Sequence, residues 1–283
     1  MIEHYPILEE IAKNLVNLKQ EFMQDYSGTS HVQEVIPTSH SNLFPIEDKY
    51  FVHLHRFAQN NPMYYDCYEK KISGIPCIVY EGDINKYWLN SIQHRDSHAP
   101  FSPTWVFSSF VLSFMAKLIG FKQVVDVGSG DGRIAYCAKI LNLESYSIEI
   151  DDMLVNLQNT ISEKTNIRFN PICSNAVCFD YSSLNLTLPA FFIGGLAQMG
   201  GLALATGLMD NLLPTKQPFG IVFAGTTSPK YFPDPMSNAG WGTLINKYGL
   251  SKINCLTLPS MWTNKEPDDT PYLFTRLDNR NPN

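Results

Sequence analysis

Asp126, Gly128, Gly130, Gly132 and Glu149 are the residues of this chain whose types and spacing most plainly imply chemistry. They stand in Val-Val-Asp-Val-Gly-Ser-Gly-Asp-Gly-Arg (124–133) and Tyr-Ser-Ile-Glu-Ile-Asp (146–151). The first stretch reads as an apolar strand, a glycine turn and the start of a helix; the second reads as a strand closing on an acid. Together they form a nucleotide-binding βαβ unit. Glycines in such a turn allow close backbone approach by a ligand, where a side chain would collide with it. Dinucleotide sites space these glycines G-x-G-x-x-G and set a pyrophosphate on the helix N-terminus. Here the spacing is G-x-G-x-G, with a carboxylate two residues before the first glycine.

That arrangement resembles the first motif of the class I S-adenosylmethionine-dependent methyltransferases. The resemblance implies a cofactor with a sulfonium, an α-amino group and a ribose but no phosphate. It implies that Asp126, Gly128, Ser129, Gly130 and Asp131 line the cofactor, Asp126 supplying negative charge. It also implies that Glu149, with Ile150 beside it, accepts the ribose hydroxyls. The third strand would end at Asn175 and Ala176 and the fourth at Gly194, completing the cofactor set. Family members often carry an acid where Asn175 stands, to accept from the adenine amino group. An asparagine can accept there through its side-chain oxygen and donate through its amide. A turn residue after a strand is the plain alternative for Asn175.

The elements that must position these residues follow from periodicity. Ile7, Leu8, Ile11, Leu15, Leu18 and Phe22 recur at helical spacing, so the chain opens with an amphipathic helix. Residues 28–45, rich in Ser, Thr, His and Pro, read as a loop, and 50–57 fits strand or helix equally. Residues 63–70 and 75–80 read as a hairpin turning at Ser73-Gly74. An apolar helix over 104–119, with Ser102 or Thr104 as its cap, leads into a strand at 122–127. Strands are then expected at 146–150, 167–173, 190–194, 219–225, 253–258 and 271–277, with helices at 152–164, 200–213 and 241–248. Alternation of this kind predicts an α/β fold: a Rossmann-like, doubly wound, mostly parallel sheet of seven strands. The last strand is expected to run antiparallel, by the same resemblance, which covers roughly 100–278. The predicted organisation is an N-terminal α+β accessory segment over 1–99 and a cofactor-binding domain over 100–283.

Composition narrows the class. The 283 residues are 44% hydrophobic and 17% charged, enough apolar material for a large core. A net charge of −6 gives no general pull on nucleic acid, which is therefore not expected as a partner. The six cysteines form no C-x-x-C pair and read as small buried hydrophobes in a reducing compartment. The N-terminus carries no basic-then-apolar leader, so a cytoplasmic location is expected. Residues 188–209 hold no charge and are long enough to cross a bilayer. Pro189, Gln198 and five glycines within them fit strand, glycine-rich loop and buried helix better, so no membrane partner is expected.

Methyl transfer is an in-line displacement in which the enzyme chiefly aligns the nucleophile, and a base is needed only for a protonated one. His98 and Tyr181 are the candidate catalytic residues, with His94, Asp96 and Asp180 near the same strand ends. His94 and His98 would share a helical face and permit a metal, but no third ligand is evident and none is expected. Residues 98–105 would, by the resemblance, lie over the methionine end of the cofactor; a plain helix lead-in is the alternative. Family enzymes acting on exocyclic or amide nitrogens carry Asn or Asp, Pro-Pro and an aromatic after the fourth strand. This chain has Ile-Gly-Gly-Leu-Ala-Gln-Met-Gly-Gly there, which speaks against those acceptors. The expected function is methyl transfer from S-adenosylmethionine to a small-molecule or protein acceptor. The rival is a protein that binds S-adenosylmethionine or S-adenosylhomocysteine, or a partner, without catalysis.

Overall fold

The computed structural model describes residues 4–93, 100–225, 236–259 and 269–277. Its N-terminal helix α1 (Pro6–Gln24) begins on a proline and buries Leu8, Ile11, Leu15, Leu18 and Phe22 along one stripe. The expected loop that follows contains a strand instead, β1 (Val32–Pro37), buried along its whole length. Gln33 and Glu34, both buried, interrupt its apolar residues and mask the strand in the sequence. The ambiguous 50–57 stretch is helical: α2 (Asp48–Asn60) buries Phe51, Leu54, Phe57 and Ala58 on one face. Strands β2 (Tyr64–Ile72) and β3 (Ile75–Gly82) form the expected hairpin. Ser73 and Gly74 take φ of 50° and 78°, as a two-residue hairpin turn demands. The three strands make an antiparallel sheet in the order β1-β3-β2. A short helix that periodicity does not reveal, α3 (Asn85–Gln93), follows.

The lead-in helix α4 (Val106–Ile119) buries residues around nearly its whole circumference, so it lies inside the molecule. Ser102 and Thr104 do not cap it. Its first N–H, from Val106, is instead accepted by the carboxylate of Glu34 at 2.8 Å. The chain then alternates through β4 (Gln123–Val127), α5 (Arg133–Ile140), β5 (Glu144–Glu149), α6 (Asp152–Thr165), β6 (Pro171–Cys173) and β7 (Pro189–Leu196). It ends with α7 (Gly201–Leu212), β8 (Phe219–Ala224), α8 (Gly242–Tyr248), β9 (Ser251–Pro259) and β10 (Asp269–Leu277). Strand β6 is shorter than the expected 167–173, because Asn166 and Asn170 take positive φ and turn the chain before it.

The larger sheet has seven strands in the order β6-β5-β4-β7-β8-β10-β9. Neighbours are parallel except β10, which runs antiparallel to both β8 and β9. This is the expected doubly wound, Rossmann-like sheet. Strand order reverses between β4 and β7, and in such sheets ligands bind at the carboxyl ends of the strands beside that switch. The uncharged 188–209 stretch becomes β7, a turn and α7, and no helix among the described residues is long and apolar enough to cross a membrane. The N-terminal segment shares its apolar core with one face of this sheet: α1 packs on β9 and α4, and α2 on α5 and α6. The cysteine expectation needs correction. Cys77 and Cys137 are buried, but Cys67, Cys173 and Cys178 are exposed, although none of these five forms a disulfide.

Candidate functional site

The turn between β4 and α5 is held in shape by its own polar groups. Gly128, Gly130 and Gly132 have φ of 69°, 58° and 76°, the left-handed region that glycine alone enters freely. Gly128 and Ser129 donate their N–H groups to the Ile148 carbonyl, at 2.9 and 3.3 Å. Gly132 donates to the Ser129 carbonyl at 2.9 Å. Gly130 donates to Glu149 Oε2 at 2.8 Å. All four of these N–H groups therefore point into the protein. A phosphate cradle needs such groups free and facing the ligand.

Glu149 does more inside the protein than expected. Its Oε1 also accepts from the N–H groups of Ile150 (2.8 Å) and Asp151 (3.1 Å). Three of the roughly four acceptor positions of a carboxylate are thus taken by backbone, and a ribose would find about one open. Burial pushes the Glu149 carboxyl up, and the three N–H groups oppose that. Asp126 is more extreme. Burial first, then the charges of Asp131 and Glu149, push it well above the usual carboxylate range. Its Oδ2 is buried and has no hydrogen-bond partner among the described residues. Burial and the neighbouring acids thus disfavour the expected negative charge at Asp126, and a cation brought beside it would favour that charge.

Behind the turn lies a buried ionic network. Arg133 donates from Nε to Asp131 Oδ1 at 2.8 Å and from Nη2 to Asp131 Oδ2 at 2.6 Å. Its Nη1 reaches Glu34 Oε1 at 2.5 Å and the Thr104 carbonyl. The Tyr64 hydroxyl donates to Glu34 at 2.8 Å, and Asn61 Nδ2 donates to Asp131 at 2.9 Å. Burial raises the Glu34 carboxyl, opposed by the Arg133 charge, the Val106 N–H and the Tyr64 hydroxyl. Gln158 of α6 adds a second tie, donating to Ser129 Oγ (3.0 Å) and the Gly130 carbonyl (2.7 Å).

On the open side, a Cβ added at Gly130 would stand 2.6 Å from the Phe101 ring, so that ring lies directly against the turn. The Phe101 N–H is fixed by Ser91 Oγ at 2.8 Å. Asn90 donates to both carboxylate oxygens of Asp151, the N-cap of α6. Opposite, at the end of β7, Gly194 meets the turn so closely that a side-chain carbon there would run into the Val127 and Gly128 carbonyl oxygens.

The structure thus brings Asp126, Gly128, Ser129, Gly130, Asp131, Glu149, Ile150 and Gly194 together at the strand switch. Asn175 lies at the end of β6, half-buried, its Oδ1 accepting from the Val177 N–H at 3.0 Å in a local turn. Ala176 is buried beside it. Tyr181 is buried, and its hydroxyl donates to the Ala176 carbonyl at 2.9 Å. Packed on Phe179 and Phe191 with its phenol pushed up by burial, it occupies a wall position. His98, with His94 and Asp96, lies outside the described residues. Among those described, no group of His, Cys, Asp and Glu could hold a metal. Sequence reasoning missed Glu34, Asn61, Asn90, Arg133 and Gln158. The available signal was a polar residue inside an apolar pattern, as with Gln158 between Leu154, Leu157 and Ile161 on the buried face of α6.

No family model matches the sequence, and no curated protein does. Solved structures do. A tRNA (uracil-54, C5)-methyltransferase from Pyrococcus abyssi, in complex with S-adenosylhomocysteine, is 12% identical with a TM-score of 0.46. The match covers 63% of this chain and 40% of that one, so this chain spans under half of that enzyme's length. YjhP from Escherichia coli is 11% identical (67% of this chain, 98% of that chain, TM-score 0.45). TYW2 of Pyrococcus horikoshii, in complex with MeSAdo, is 15% identical (64% and 66%, TM-score 0.42). At such scores the likeness adds nothing to the strand order. That order, with its antiparallel β10, is the seven-strand Rossmann-like sheet of the class I methyltransferase fold.

Proposed function

We propose that this chain binds S-adenosylmethionine and transfers its methyl group to an acceptor. The observation that carries the reading is the inward-facing glycine turn: the N–H groups of Gly128, Ser129, Gly130 and Gly132 are spent on Ile148, Ser129 and Glu149, so these four are not free to cradle a pyrophosphate. What the turn offers is backbone surface flanked by the buried acids Asp126 and Glu149. That environment suits a ligand with a sulfonium and an ammonium, whose positive charge would favour the ionised carboxylates. Glu149 and Ile150 would hold the ribose, Asn175 and Ala176 the adenine, and Asp126 the amino acid end. The cofactor supplies the electrophilic methyl carbon; the chain's residues orient it and keep the β7 side open to the acceptor.

Calorimetric titration with S-adenosylmethionine, S-adenosylhomocysteine and NAD tests this directly. The expected result is binding of the first two and none of NAD; NAD binding alone would refute it. A second reading, a non-catalytic binder of the same ligands, draws on the Gly194–Gly200 turn, which carries no ionisable side chain. Transfer of label from tritiated S-adenosylmethionine to protein, RNA or small-molecule fractions of an extract favours catalysis. Tight binding with no labelled product favours the second reading.

A further inference from the structure

Glu34 lies in β1, nearly a hundred residues before the glycine turn, yet it is buried at the point where three pieces of chain meet. Its Oε2 takes the Val106 N–H that starts α4. Its Oε1 takes Arg133 Nη1 and the Tyr64 hydroxyl. Arg133 in turn grips both carboxylate oxygens of Asp131, which sits between Gly130 and Gly132. It also bonds the Thr104 carbonyl, three residues beyond the Phe101 whose ring covers Gly130. Glu34, Asp131 and Arg133 are each 3% exposed or less. Burying so many charges is an expensive way to gain stability, since well-packed apolar residues commonly serve as well. What the bidentate fork adds is a fixed plane and distance.

We propose that Glu34 is a positioning residue for the cofactor site, setting the glycine turn through Arg133 and the lead-in segment through Val106. This rests on the reading that the turn binds S-adenosylmethionine. A single carboxylate would then hold both the floor of the site and the segment that covers it. The N-terminal segment becomes part of the cofactor machinery.

The test compares Glu34→Gln, which keeps the side chain's volume, with Leu244→Ala, a core truncation in α8 that removes no member of the ionic network. Three quantities are measured on the full chain: Tm, the Kd for S-adenosylhomocysteine, and amide hydrogen exchange over 128–133. Glu34→Gln should raise Kd by about tenfold or more, as expected for sub-ångström misplacement of a binding group, and speed exchange in the turn. Leu244→Ala should lower Tm without changing either. Wild-type Kd and exchange in Glu34→Gln, or equal weakening by Leu244→Ala, would overturn the proposal. Should Glu34→Gln fail to fold, Tyr64→Phe removes one donor to the same carboxylate; a Kd rise of about twofold or more supports positioning, and no change overturns it. If the wild-type chain binds no S-adenosylhomocysteine, the cofactor reading fails, and the exchange comparison alone still decides whether Glu34 sets the turn.

Discussion

The two sides of the crevice at the strand switch are built by opposite means. On the β4–β5 side the glycine turn is ringed by acids, an arginine and a glutamine, and the polar groups named above have partners, apart from Asp126 Oδ2. On the β7 side, Gly194 to Gly200 offers glycines, apolar residues and one exposed glutamine. Buried polar groups that are fully paired specify one geometry, whereas a short glycine-rich turn specifies little beyond its path. In the proposed reading the first side holds the cofactor in fixed orientation and the acceptor approaches over the second.

The severest way to break this arrangement is at the end of the β4–β7 pairing, where Gly194 meets the glycine turn. Gly194→Val would drive a side chain into the Val127 and Gly128 carbonyls, prising β7 from β4 at its end. A loss of about 4 kcal/mol or more is expected, enough to threaten folding, read as Tm and soluble yield. Its partner, Gly128→Ala, provides the contrast. An added Cβ there meets only Leu204 at 3.5 Å and the Gly194 Cα at 3.7 Å, so the cost is the left-handed backbone, about 1–2 kcal/mol. Equal destabilisation by the two would mean that the sides are not in contact as described. Gly130→Val is a poor probe of ligand contact, since the side chain would strike Phe101 before any ligand.

A milder test uses the acid that the first side leaves unpaired. Asp126 is held above the ordinary carboxylate range by burial and by its neighbours Asp131 and Glu149. Its folded pKa therefore exceeds the unfolded value of about 3.9. Stability from this group is full below that value and is lost as pH rises towards the folded pKa, by about 1.4 kcal/mol for each pH unit between the two. Asp126→Asn escapes the loss. The variant should match wild type near about pH 4 and exceed it in Tm near about pH 7, the gap widening as pH rises. A gap that narrows with rising pH would show that the carboxylate is stabilised where it sits. Adding S-adenosylmethionine should reverse the order at neutral pH if its cation lies against Asp126.

How much of this is legible in the sequence divides along the same line. The glycine turn, Glu149 and the alternation of strands and helices are local patterns, so they and the seven-strand sheet can be read directly. The hidden parts are those fixed by distant partners. Glu34 looks like a loop residue because its strand lacks alternation, and nothing local tells that a carboxylate at 34 meets an arginine at 133. Helix α4 looks as though it needs Ser102 or Thr104 for its cap, yet the acceptor comes from β1. The place of Glu149 in the motif points to a ligand for ribose. Its bonds to three backbone N–H groups depend on the turn's folded path, which spacing alone does not encode.

The smallest expected effects fall on the β7 side. Gln198 and Met199 are exposed, and no hydrogen bond fixes either side chain among the described residues. Gln198→Ala and Met199→Ser should each change stability by no more than about 0.5 kcal/mol, a Tm shift of about 1–2 °C in a chain of this size. Their Kd for S-adenosylhomocysteine should equal that of wild type, since the cofactor is assigned to the other side. Turnover is where they would differ: an acceptor passing over β7 must touch this turn, so labelled product should fall while cofactor affinity holds. A loss of stability well beyond about 0.5 kcal/mol would instead place the turn in the frame of the fold. The contrast between a fixed side and an open one would then give way to two fixed sides.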